Sequence, residues 1–190
     1  MADFNNFFDA LIDVRSQMYG NTNKTYWHGT KVMNLGYLRP SRAFGESTPL
    51  LWFTNSREYA RKIALQYGEC NVLYQLKVNR DLEIFNARAV RDQRNLCSID
   101  NRFYDVIPYL QEIDWFKASH KGGFSRDSLL SDLRDSGFYD GVFNFELNEQ
   151  YPAIGMFTNR GVVLLRQEIL DRNGNVLESY RMENGDWVQE

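Results

Sequence analysis

Histidine and cysteine are scarce in this chain, with two of each in 190 residues. His28 and His120 stand far apart, as do Cys70 and Cys97, so no spacing makes a metal-ligand set. Two isolated cysteines fit reduced thiols better than a disulfide framework, which points to a reducing compartment. No apolar run approaches the roughly 18 residues of a membrane span. The opening MADFNNFFDALIDV carries acids where a secretory signal needs cations. A cytoplasmic protein with no membrane partner is expected. A strong charge of one sign is also lacking. The net charge is −3, so no global field draws the protein onto a polyanion, although a local basic strip would suffice for nucleic acid. Repeats, low-complexity tracts and linkers are absent too, and the length suits one domain spanning 1–190.

Aromatic residues, in contrast, make up 15% of the chain. Most must be core, but the surplus suits a protein that grips a flat ligand. Spacing of Phe7, Leu11 and Val14 predicts an N-terminal helix over 4–19. Thr25–Thr30 reads as a strand ending in a glycine turn, and turn formers from Gly36 to Pro49 read as a loop. Leu50–Thr54 is a strand. Asn55 or Ser56 then caps a helix carrying Tyr59, Ile63 and Tyr67, with Gly68 as its stop. Asn71–Val78 alternates as a half-buried strand does, and Leu82–Phe85 is a shorter one. Between 86 and 127 the pattern is mixed, with one or two helices around 101–116. Ser125–Ser136 reads as a helix with Leu129, Leu130 and Leu133 inward. Strands follow at Gly141–Phe145, Ala153–Thr158 and Val162–Glu168. A last hairpin, Glu168–Met182, turns at Asn173-Gly174, and residues 168–190 form a C-terminal hairpin and acidic tail in which Trp187 packs back. The sum is one α+β domain.

Three segments recur in a telling order. Trp27-His28-Gly29-Thr30 ends a strand, and Leu51-Trp52-Phe53-Thr54-Asn55-Ser56 opens a helix containing Glu58-Tyr59-Ala60. Far downstream, Gly137-Phe138-Tyr139-Asp140-Gly141-Val142 precedes the apolar strand Ala153-Ile154-Gly155-Met156-Phe157-Thr158. Over most of residues 25–168 this order resembles the diphtheria-toxin and poly(ADP-ribose)-polymerase branch of the ADP-ribosyltransferases, with its His–Tyr–Glu triad. The resemblance implies a split pair of mainly antiparallel sheets with flanking helices, clasping NAD as co-substrate without a metal. It implies that His28 bonds the adenosine ribose, with help from Thr30. Gly29 would read the carboxamide through its backbone, where only glycine lets a ligand come so close. Nicotinamide is cationic and wants an aromatic face. Trp52 or Phe53 occupies that segment, and alternation along the strand sends only one of the pair to the ligand, here expected to be Trp52. Tyr59 would close the other side. Ser56 is either a further ligand contact or simply the helix cap.

The third member of the triad departs from the pattern. Breaking the glycosidic bond develops an oxocarbenium-like cation that a carboxylate stabilises, and the resemblance expects a glutamate at the position of Ala153. Three explanations stay open. Glu149 or Glu146 reaches in from the preceding segment, with Glu149 first; or a glutamate has been replaced by Ala153; or the domain binds NAD without transfer. The expected function is mono-ADP-ribosyl transfer to a protein or nucleic acid. The alternatives are an inactive NAD-binding module and an inhibitor that uses the fold only as a surface. Family habit adds a toxin or effector role, with a neutralising antitoxin or immunity protein as partner. The loop around His120 reads as solvated, or as a basic tip touching a target. Arginines 80, 88, 91, 94 and 102 read as a salt-bridged solvent face, or as a phosphate strip.

Overall fold

In a computed structural model of the chain, residues 25–42, 48–66, 71–86, 90–99, 101, 126–143 and 153–190 are described. The helix expected over 4–19, the helices expected around 101–116 apart from residue 101, Tyr67, Gly68, Cys70, His120, Glu146 and Glu149 lie outside them. The described elements are strands β1 (Thr25–Thr30), β2 (Leu51–Thr54) and β3 (Asn71–Val78), then β4 (Ile84–Phe85), β5 (Gly141–Phe143), β6 (Ala153–Met156), β7 (Val162–Leu170), β8 (Val176–Glu183) and β9 (Asp186–Gln189). Helices α1 (Arg57–Leu65), α2 (Val90–Ile99) and α3 (Arg126–Asp135) accompany them. The fold is mixed α+β. All nine strands belong to one sheet, in the order β4-β5-β6-β2-β1-β3-β7-β8-β9. Every pairing is antiparallel except β4 with β5.

The centre of this sheet is its weakest seam. β1 pairs with β3 along its whole length, from Thr25↔Lys77 to Thr30↔Val72. With β2 it shares a single register position, Trp27↔Thr54. The sheet is continuous where the resemblance implied a split pair, but its ladder is shortest here, and the packing on the two faces differs. One face carries a continuous apolar layer in which Tyr26, Phe53, Tyr74, Leu76, Ile154 and Met156 are all buried. The rings of Tyr26 and Phe53, 5.1 Å apart, bridge the halves there. On the helical face the core is divided. Leu129, Leu130 and Leu133 of α3 and Cys97 of α2 cover Phe85 and Val142 at one end. Ala60 and Ala64 of α1 cover Leu73 and Leu170 at the other, with Trp27 against them. The gap between these two clusters lies over the β1–β2 seam.

Sequence explains most boundaries. Ser56 caps α1, its hydroxyl accepting from the amide of Tyr59 at 3.1 Å, a contact of about 1 kcal/mol. Asp140 of the Gly137–Val142 segment fixes three loops. Arg80 donates to both of its carboxylate oxygens at 3.1 and 2.5 Å, and the amide of Glu83 donates to it at 3.0 Å. Its own carbonyl accepts from Phe157. The expected C-terminal hairpin is β7–β8. Its turn residue Gly174 has φ +83°, and Asp171 accepts from the amides of Asn173 and Asn175. The acidic tail continues into β9 through Asn184-Gly185, both at positive φ. Trp187 packs back, its ring 5.7 Å from Tyr74 and its Nε1 donating to the Leu35 carbonyl at 3.1 Å. α2 falls inside the stretch where the sequence pattern was mixed.

Candidate functional site

A cavity of about 110 Å³, open to solvent, sits where β1 and β2 part. β1 contributes Trp27, His28, Gly29 and Thr30, β2 contributes Trp52, Phe53 and Thr54, and α1 contributes Tyr59, Ala60 and Ile63. Ser41, Leu50 and Ala153 complete the wall. Of the residues singled out in the sequence, His28, Gly29, Thr30, Trp52, Phe53, Tyr59 and Ala153 meet here. Ser56 does not line the cavity, and its hydroxyl is engaged at the helix cap.

His28 reaches across the seam. Its Nδ1 donates to the Trp52 carbonyl at 2.6 Å, a bond that replaces the ladder the diverging strands have lost. Burial pushes the imidazole pKa below its ordinary value, and the bond to the Trp52 carbonyl opposes that only in part. The ring is therefore held neutral with its proton on Nδ1, which leaves Nε2 as a hydrogen-bond acceptor.

Trp52 and Phe53 point to opposite faces, as alternation requires. Phe53 is core, 2% exposed, and packs on Tyr26. Trp52 lies on the cavity side, its six-membered ring flat over Gly155, its cross-strand partner. A Cβ on Gly155 would approach that ring to 3.0 Å, so glycine there is what lets the indole lie down. Nε1 of Trp52 is buried and has no hydrogen-bond partner among the described residues. Ala153 pairs with Thr54 and shares the face of Trp52, so its Cβ looks into the cavity.

Packing requires glycine at position 29. A Cβ there would come within 2.2 Å of the Ala60 carbonyl oxygen and 2.8 Å of the Ala64 nitrogen. Its lack of a side chain lets α1 press directly onto β1, which brings Tyr59 and Ile63 to the cavity. Sequence reasoning missed Trp27 as a wall residue. Strand alternation puts it opposite His28, beneath the guanidinium of Arg57, which lies 5.4 Å from the ring centroid. Arg57 is itself anchored by the buried Glu168 at 2.6 Å, so the aromatic wall and the start of α1 are tied to β7. No group of three or more His, Cys, Asp or Glu able to hold a metal exists among the described residues. No described helix is long and apolar enough to cross a membrane.

No protein-family model, no curated protein and no solved structure matches this chain.

Proposed function

We propose that the β1–β2 cleft binds NAD and that the chain is a mono-ADP-ribosyltransferase, joining ADP-ribose to a protein or nucleic-acid target and releasing nicotinamide. One observation carries this reading. Segments far apart in sequence, holding His28, Trp52, Tyr59 and Ala153, converge where the sheet parts. The seam supports kinship with the split sheets of the ADP-ribosyltransferase-like fold. The neutral His28 offers Nε2 to a ribose hydroxyl, a donor that matches it. Nicotinamide enters between Trp52 and Tyr59, where an aromatic face is worth roughly 0.5–2 kcal/mol to a cation. The cavity has room for that ring, and the rest of the dinucleotide runs out through its open side.

Ala153 favours a second reading, in which the chain binds NAD without transferring ADP-ribose. It faces the cavity from the position where the resemblance expects the glutamate, and no described wall residue carries a carboxylate. Transfer then requires Glu149 or Glu146 to supply one.

Thermal unfolding with and without NAD, together with nicotinamide release, tests both readings. A ligand at a hundred times its Kd adds about 2.7 kcal/mol to the folded state. Stabilisation that disappears in His28→Ala supports the site. Release by the parent chain that Glu149→Gln abolishes supports the transferase, whereas release by Ala153→Glu alone supports the binding module. Absence of both stabilisation and release sinks both readings and leaves the fold as an interaction surface.

A further inference from the structure

The segment 31–42, Lys-Val-Met-Asn-Leu-Gly-Tyr-Leu-Arg-Pro-Ser-Arg, holds three cations and no acid, in a chain whose net charge is −3. It leaves β1 at Thr30 and ends beside Ser41, two residues of the cavity wall. Its exposed side chains combine cationic and flat apolar chemistry. Lys31, Arg39 and Arg42 are exposed, and none has an ion-pair partner among the described residues. Tyr37 is 49% exposed, Val32 44% and Met33 41%. The Arg39 guanidinium stands 4.5 Å from the centroid of the Tyr37 ring.

A loop that shows so much apolar surface to water needs something to hold it in place, and this one is pinned along its length. The Tyr74 hydroxyl accepts from the Leu35 amide at 3.1 Å and shares its proton between Gln167 Oε1 at 2.7 Å and the Val32 carbonyl at 3.0 Å. Gln167 accepts from the Asn34 amide at 2.7 Å. Trp187 donates to the Leu35 carbonyl, and Asn159 to that of Leu38, whose side chain is buried. Two backbone bonds of 3.1 Å join Ser41 to Leu50. The display of Tyr37 and its cations is thus built into the fold, and a partner need not order the loop first.

We propose that this segment docks single-stranded nucleic acid at the mouth of the cavity. A base stacks on the Tyr37 face opposite the Arg39 guanidinium, a platform that accepts any base, while Arg39, Arg42 and Lys31 meet the phosphates. Screening limits charge effects to about 8 Å at physiological salt, so this local positive patch, and not the net negative charge, governs contact. An acidic protein surface would satisfy the cations but leave the exposed ring without a flat partner, so nucleic acid fits both halves of the patch. Binding at the loop stands apart from the NAD reading. Only its meaning as the target of transfer rests on that reading.

The test is fluorescence anisotropy with a labelled single-stranded oligonucleotide of about 12 nucleotides, without NAD. Tyr37→Ala is expected to weaken binding about 5- to 150-fold, the range of one lost base stack, while Tyr37→Phe keeps it. The double variant Arg39→Gln with Arg42→Gln is expected to flatten the slope of log K against log salt by about 1.4, at about 0.7 per phosphate contact. Circular dichroism and the unfolding midpoint check that the variants are folded. No binding at low salt, or binding that these variants leave unchanged, overturns the proposal. So does equal competition by polyglutamate, which would point to an acidic protein. If Tyr37→Ala loses NAD-dependent stabilisation and not oligonucleotide binding, the loop belongs to the dinucleotide and the proposal also fails.

Discussion

The Nδ1 atom of His28 lies 2.6 Å from the backbone carbonyl oxygen of Trp52, joining two strands that otherwise meet at one register position. A carbonyl only accepts, so the proton sits on Nδ1 whatever else enters the cavity. The side chain that lines the cavity is also the one that closes the seam.

This double duty predicts a pH dependence. Burial depresses the pKa of His28 in the folded protein, while the unfolded chain titrates near the ordinary value of about 6.5. The unfolded state therefore takes up the proton first as pH falls. The stability contributed by neutral His28 is complete above about pH 6.5 and declines as the pH drops toward the folded pKa. The unfolding midpoint should fall between pH 7 and pH 5 (roughly the window below the ordinary histidine value) more steeply in the parent than in His28→Asn. Parallel profiles for the two proteins would contradict it.

Gly29→Ala tests the close packing of α1 on β1. The added methyl meets backbone atoms of Ala60 and Ala64, which cannot swing aside as a side chain can. We expect a loss of at least about 1–3 kcal/mol, the range for overpacking, read from the urea midpoint. A neutral result would mean that α1 sits further from the strand.

Trp52 gives the discriminating substitution for the cleft. Under the NAD reading, Trp52→Ala weakens NAD about 2- to 30-fold, as expected for a cation–π contact of roughly 0.5–2 kcal/mol, while Trp52→Phe loses less. Isothermal titration measures both. Equal affinity in all three proteins would remove the aromatic face from the site.

Asp140 should matter to the fold and not to the ligand. Asp140→Ala removes the carboxylate that accepts from Arg80 and from the Glu83 amide. Among the described residues this leaves Arg80 only the Arg160 and Asp81 carbonyls, so a cost of about 1.5–3 kcal/mol is expected for bonds to a charged group. Any NAD-dependent shift should survive at temperatures where the variant is folded.

Local chemistry made much of this legible in advance. The apolar–polar alternation of Asn71–Val78 placed β3 at its observed bounds. Asn55 or Ser56 marked the start of α1, with Ser56 the cap, and Asn173-Gly174 marked a turn. Asn184-Gly185 carries the same kind of signal inside a tail that reads as an acidic edge, and it builds β9. α2 escaped because its pattern is broken: Asp92 is buried in it, accepting from the Asn86 amide and contacting the Tyr139 hydroxyl, and such a residue spoils an apolar stripe while serving the core.

The site divides in the same way. Alternation alone put Trp52 and Phe53 on opposite faces, a statement about neighbours that a sequence makes directly. That His28, Trp52, Tyr59 and Ala153 share a site was implied by the resemblance and not by any local pattern, and all four line the same cavity. The parting of β1 from β2, the reach of His28 to the Trp52 carbonyl and the reason Gly29 lacks a side chain belonged to tertiary structure. Each is a contact between segments two dozen or more residues apart, set by how helices and strands press together. No local pattern encodes that distance.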